Sequence, residues 1–134
     1  MNRILKSDSS LQYESERQFS TSSDSLSILI KNNYYSSDSV HGRELLTKFL
    51  NKIIDSNMNI SSIVIIDSGT LLLDSNSENL IQVSTLLERS FLGLVCEDST
   101  FSYSVKIPEN LEQYLCDANV CFEQLLIESP TIVL

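Results

Sequence analysis

A cysteine, Cys96, closes the apolar run Phe91-Leu92-Gly93-Leu94-Val95, and the polar Glu97-Asp98-Ser99-Thr100 follows at once. An apolar run that stops so abruptly reads as a buried strand leaving a sheet. In a parallel α/β sheet the carboxyl ends of the strands are where ligands and reactive groups gather. A thiolate there would be a nucleophile. A helix beginning near Asp98 would favour the thiolate through its dipole, while the carboxylates of Glu97 and Asp98 oppose it. The opposing reading, a cysteine that fills space at a strand end, is the favoured one, because cysteine ranks among the most buried residues.

The other chemistry-bearing residues follow from the same edge. Asp67-Ser68-Gly69 ends a second apolar run, so it should lie beside Cys96 in one cleft. Its backbone amides could hold a small anion. The simpler expectation is a tight turn in which Gly69 takes a positive φ. Ser99 cannot form a disulfide. Cys116 or Cys121 could pair with Cys96 only if the fold brought the α-carbons within roughly 7 Å, and Cys121 reads as core packing on a last helix. His41, the single histidine, stands at a helix start and is expected to be exposed rather than an acid or base. No cysteine pair has zinc-site spacing. A nucleophile elbow, a phosphate loop and a dinucleotide fingerprint are all missing, so neither metal nor cofactor is expected.

The elements that must position these residues can be read from periodicity. Leu26 to Lys31 is a first strand, and Asn32 to Val40 a polar loop. Leu45, Leu46, Phe49, Leu50, Ile53 and Ile54 recur at helical spacing and predict an amphipathic helix from about Gly42 to Ser56. Ile60 to Ile66 is rich in β-branched residues and unbroken, as a strand buried on both faces should be. Thr70 to Leu73 reads as a turn with an apolar anchor. Ser77 is the expected cap of a second helix carrying Leu80, Val83, Leu86 and Leu87 and ending near Arg89. Phe91 to Cys96 is the third strand. Asp98 to Lys106 fits either an extended piece or a short helix. Pro108 suits the first turn of a brief helix with Leu111, Tyr114 and Leu115. After a break at Asp117-Ala118-Asn119, Val120 to Ile127 reads as a last helix and Thr131 to Leu134 as a last strand. Strands alternating with helices imply an α/β fold: a mainly parallel sheet of about four to five strands, flavodoxin-like in its layering, with helices on both faces.

Residues 1 to 25 differ. Their serine clusters carry little apolar content, which predicts a flexible arm ahead of a domain over 26 to 134, with a short docked strand around Leu11, Tyr13 and Phe19 as the alternative. At 134 residues and 42% hydrophobic content the chain suits one core. A formal charge of -9 argues against nucleic acid and anionic membrane as partners, since both require clustered Lys and Arg. No apolar stretch approaches the ~18 residues of a membrane span, and Met1 to Lys6 does not read as a signal peptide. Three irregularly spaced cysteines fit reduced thiols in the cytoplasm.

The stretch from about Leu26 to Leu134 resembles the DsrE-like domain, and within it the C-terminal domain of the YedF-type proteins, described as sulfurtransferase-like and associated with selenium metabolism. The family has a glycine, a leucine and a phenylalanine at the start of its first helix, which Gly42, Leu45 and Phe49 resemble. Asp67-Ser68-Gly69-Thr70 with Leu72 is similar to its Asn-Ser-Gly-Val and following leucine, and Asn76-Ser77 to the small-residue-plus-serine step before its next helix. Cys96-Glu97-Asp98-Ser99-Thr100 occupies the position of its Cys-Gly-Thr-Cys-Leu motif, and Asn119-Val120 that of the Asn-Met opening its last helix. The resemblance implies a protein of sulfur or selenium metabolism, without a cofactor, that forms homo-oligomers or meets a sulfur-relay partner. It also implies Cys96 as the acceptor of a persulfide-type adduct, with Asp67, Ser68, Gly69, Glu97, Asp98, Ser99 and Asn119 lining its cleft. The chemistry is where the sequence departs: Ser99 replaces the second cysteine, Glu97 replaces the glycine, and residues 1 to 25 hold no cysteine of a TusA-like domain. The sequence therefore points to a non-catalytic or weakly active interaction module, with a carrier using Cys96 as the alternative.

Overall fold

A computed structural model of the chain describes residues 25–134. The serine-rich arm, with Leu11, Tyr13 and Phe19, lies outside the described residues apart from Ser25, which opens the first strand. Strands β1 (Ser25–Ile30), β2 (Asn59–Ile65), β3 (Ser90–Cys96), β4 (Leu115–Cys116) and β5 (Ile132–Val133) form one sheet in the order β4-β3-β2-β1-β5. Every pairing is parallel. The expected α/β class and mainly parallel sheet are thus observed.

The period of two along each strand sorts its side chains onto the two faces. Ile28 and Ile30 on β1, Ile63 and Ile65 on β2, and Val95 on β3 share a core with Leu46, Leu50 and Ile53 of α1 (Val40–Ser56) and Val83, Leu86 and Leu87 of α2 (Leu80–Arg89). The alternate residues Leu29, Val64, Leu94 and Cys96 meet Ala118, Cys121 and Leu125 of α4 (Ala118–Ile127) on the other face. Helices therefore cover both faces, which is why β1 and β2 read as nearly continuous apolar runs; the strand expected to be buried from Phe91 to Cys96 is buried only at its carboxyl end, at Val95 and Cys96, while Phe91 is 94% and Leu92 36% exposed. Each fully buried Leu or Ile contributes on the order of 2 kcal/mol through the water it sheds.

The helix ends show where local chemistry corrected the sequence reading. Ser39 accepts the Gly42 N–H at 2.9 Å, so α1 opens at Val40, ahead of Gly42. It stops at Asn57, which adopts a left-handed φ of 58°. Ser77 is not the cap of α2. Its hydroxyl accepts the Asn79 N–H at 3.1 Å, a turn ahead of a helix that begins at Leu80. Asn79 occupies the cap position without a side-chain cap bond, and its side-chain Oδ1 accepts instead from the Thr47 hydroxyl on α1 at 3.0 Å. The turn expected over Thr70 to Leu73 is a 3-10 turn spanning Asp67–Leu73, anchored by buried Leu72 and Leu73. Of the two readings for Asp98 to Lys106, the helix is observed, as α3 (Glu97–Ser102). The brief helix after Pro108 is a 3-10 turn, Glu109–Tyr114, and Leu115 leaves it to pair with Val95 as the start of β4. Among the described residues no helix is long and apolar enough to cross a membrane.

Candidate functional site

The carboxyl ends of β2, β3 and β4 lie side by side, leading into the 3-10 turn, α3 and α4 respectively. After β2, Asp67 adopts a φ of 53°. Aspartate tolerates this left-handed conformation better than most side chains, and three bonds hold it there. Its N–H donates to Ser99 Oγ at 2.8 Å, its carboxylate Oδ1 accepts from the Tyr103 hydroxyl at 2.8 Å, and its carbonyl accepts from Thr70 Oγ1 at 2.8 Å. The expected positive φ of Gly69 is absent; the left-handed residue is two positions earlier. What position 69 requires is space, because a Cβ there would sit 2.6 Å from the Ile30 carbonyl oxygen.

After β3, Cys96 runs directly into α3. Asp98 on α3 accepts the Ala118 N–H at 3.2 Å, tying α3 to the start of α4, while Asp117 caps α4 by accepting the Asn119 N–H at 2.7 Å. A hollow of about 390 Å³ opens between these elements, lined by Ile66, Asp67, Cys96, Asp98, Ser99 and Tyr103, with Phe122 of α4 at its side. Four of the residues expected from the sequence, Cys96, Asp67, Asp98 and Ser99, are therefore brought together. Ser68 and Gly69 are turned into the 3-10 turn, Glu97 lines a separate depression with Thr100 and Phe101, and Asn119 is exposed on α4. His41 is exposed on the first turn of α1. A larger hollow of about 560 Å³ lies between α1 and the approach to α2, lined by Arg43, Thr47, Asp74 and Asn79 among others, and holds no thiol. Asp74 there is held below the usual carboxylate range by the backbone N–H groups of Lys106, at 2.8 Å, and Asn76, at 3.1 Å.

What sequence reasoning left unresolved is the convergence of all three cysteines. Cys96 pairs in register with Cys116 across β3 and β4. Cys116 lies 3.5 Å, Sγ to Sγ, from Cys121 on α4. Cys96 is 4% exposed, Cys121 is fully buried, and all three thiols are free. The sequence signal was the turn at Asp117, which folds Cys116 back toward Cys121; a two-residue strand such as β4 has no period by which to recognise it. Burial pushes the Cys116 thiol up from its ordinary pKa, and burial with the neighbouring thiols of Cys116 and Cys96 pushes Cys121 up much further. The Tyr103 hydroxyl also holds its proton more tightly, because it donates it to the Asp67 carboxylate. Among the described residues no group of three or more His, Cys, Asp or Glu could hold a metal ion. The arrangement is a cluster of three free thiols under a rim whose polar groups bond to each other.

Fold and site together define an all-parallel, five-stranded α/β unit with a thiol cluster at its carboxyl edge. No protein-family model matches the chain, and no curated protein matches it in sequence. A solved structure does match its fold: MTH1491 from Methanobacterium thermoautotrophicum, a protein of unknown function, superposes with a TM-score of 0.50 at 14% identity, over 81% of this chain and 96% of that one. At that identity the likeness is one of fold alone.

Proposed function

We propose that this chain is a divergent DsrE-like protein of sulfur or selenium metabolism that works as a non-catalytic interaction module, with the cytoplasm as its compartment. The resemblance in Gly42, Leu45, Phe49 and the position of Cys96 supports the family, and three free thiols support the compartment. The observation that carries the non-catalytic reading is the closed rim of the site. Ser99, where the family has its second thiol, is engaged as a tether for the Asp67 N–H. Tyr103 and Asp98 complete the stitching, and Cys96 beneath them is 4% exposed. A carrier needs an accessible thiolate.

The surface supports the binding half of the reading. Phe122, Leu126 and Ile127 on α4 are 52%, 87% and 77% exposed, and Phe101 on α3 is 89% exposed. Exposed large apolar residues grouped on neighbouring elements mark association sites more often than chance, and homo-oligomers or a sulfur-relay protein are the partners the resemblance implies. The carrier reading keeps one observation in its favour, that Cys96 lines the 390 Å³ hollow. The two are separated by intact-mass spectrometry of the reduced protein after exposure to a persulfide donor, with Cys96→Ser alongside. The module reading expects no adduct that depends on Cys96. A gain of one sulfur that disappears in Cys96→Ser would establish the carrier instead.

A further inference from the structure

Two of the three thiols are placed for a reaction with each other. Cys116, the last residue of β4, and Cys121, in the first turns of α4, meet Sγ to Sγ at 3.5 Å. The turn between them is short and capped by Asp117, whose side chain accepts the Asn119 N–H at 2.7 Å. Cys116 is half-buried, whereas Cys121 is 0% exposed. The pair thus has one member that a small reagent can reach and one it cannot. That asymmetry suits thiol–disulfide exchange: an outer thiol takes the external partner and an inner thiol resolves it.

From this geometry we infer that Cys116 and Cys121 form a dithiol–disulfide site whose co-reactant is a small-molecule disulfide of the glutathione type. The Cys116 thiol gives up its proton and its sulfur attacks one sulfur of the small disulfide. A Cys116–small-thiol mixed disulfide forms and the other half leaves as a thiolate, which takes up a proton. The Cys121 thiol then loses its proton and attacks Cys116 Sγ, forming the Cys116–Cys121 bond and expelling the second small thiol. In sum two protein thiols are oxidised to one disulfide and one small disulfide is reduced to two thiols. To close the bond the sulfurs must approach from 3.5 Å to roughly 2.05 Å. The product would clamp the first turn of α4 to β4, directly beneath the exposed apolar side chains of that helix.

Burial makes the reaction slow at neutral pH, since Cys116 and Cys121 both hold their protons more tightly than free thiols, with Cys96 and Asp117 the further groups facing Cys116. Exchange should therefore accelerate as pH rises. It makes no use of a reactive Cys96, so it stands apart from both readings of that residue.

The test uses the reduced full chain, incubated folded with oxidised glutathione at mildly alkaline pH, then quenched in acid, alkylated under denaturing conditions and weighed intact. The expected wild-type product has lost two hydrogens and keeps one alkylatable thiol, which peptide mapping places on Cys96. Cys96→Ser should form the same disulfide. Cys121→Ser should stop at a glutathione adduct on Cys116. Three alkylatable thiols after prolonged incubation, or a disulfide that maps to Cys96, overturns the inference. Should Cys121→Ser fail to fold, mapping of the wild-type protein decides the matter by itself.

Discussion

Replacing Gly69 with alanine tests whether the carboxyl edge is as tightly built as its geometry implies. The added Cβ would lie 2.6 Å from the Ile30 carbonyl oxygen, with the Ile30 carbonyl carbon and Cγ2 both at 3.0 Å. Carbon and carbonyl oxygen ordinarily meet no closer than about 3.3 Å, and the atom in the way is backbone in a central strand. The 3-10 turn must then swing outward. That same carbonyl accepts the Ile66 N–H at 3.0 Å just past the end of β2, so the movement strains or breaks that bond. Overpacking costs about 1–3 kcal/mol and the lost bond ~1 kcal/mol. The unfolded chain's loss of freedom returns roughly 0.5 kcal/mol. The net is about 2–3 kcal/mol, which for a chain of this length lowers Tm by roughly 10 °C. Gly93→Ala is the control. Its Cβ meets Leu87 Cδ2 at 2.9 Å and Tyr114 Cδ1 at 3.1 Å, both on side chains that can turn aside, so its net cost should be below about 1 kcal/mol. Thermal unfolding followed by circular dichroism decides between them. Equal melting of Gly69→Ala and wild type, or equal loss in the two alanine variants, would refute the argument from close backbone approach.

Three further outcomes follow from single side chains. Ser99→Ala removes the acceptor for the Asp67 N–H, which should cost ~1 kcal/mol and raise the alkylation rate of Cys96 in the folded protein by about fivefold through easier local opening; an unchanged rate would show that the tether does not guard the thiol. Ser62→Ala deprives the buried Ser27 hydroxyl of its contact at 2.9 Å and the half-buried Glu128 Oε1 of a donor at 3.0 Å; a loss of about 1–2 kcal/mol is expected in urea unfolding, and a neutral result would mean that water replaces the hydroxyl. Asp74→Asn should destabilise the protein at neutral pH. The folded-state pKa of Asp74 is depressed below 3.8, so its contribution is present above that value and is lost as pH falls through the folded pKa. The urea midpoints of wild type and Asp74→Asn should therefore differ at neutral pH and converge in acid, and a gap that persists there counts against the two N–H bonds as its source.

The sheet was legible because β1 and β2 are largely buried and rich in isoleucine and valine, because β3 ends in the buried pair Val95 and Cys96, and because α1 buries Leu46, Leu50 and Ile53 at helical spacing. Features set by contacts distant in sequence were not. Ser77 and Asn79 are both chemically competent caps, yet neither side chain caps α2: Asn79 holds the cap position, and its Oδ1 is taken by Thr47, 32 positions away. Gly69 carried the right residue type for the wrong reason. Its lack of a side chain serves an approach by β1, while the left-handed conformation fell to Asp67, whose N–H finds Ser99 on α3 and whose carboxylate finds Tyr103 just past the end of that helix. The two-residue β4 offered no period at all, and with it the meeting of Cys116 and Cys121 stayed hidden.

The same residues explain why a thiol at the carboxyl edge of a parallel sheet need not be a working nucleophile. Reactivity requires exposure, a cation or dipole nearby, and polar groups left free to serve a substrate. Here the side chains that could have served are spent on cohesion. Asp67 is bound at its N–H, carbonyl and carboxylate, Asp98 joins α3 to α4, and Ser99 serves as a strut. On the proposed non-catalytic reading these bonds engage the groups that a substrate would need, beside a Cys96 that is 4% exposed. The apolar side chains of Phe101, Phe122, Leu126 and Ile127 stand on the outer surfaces of the two helices thus fastened. The proposed interaction module would use that surface, because a surface already fastened in place loses little freedom on binding.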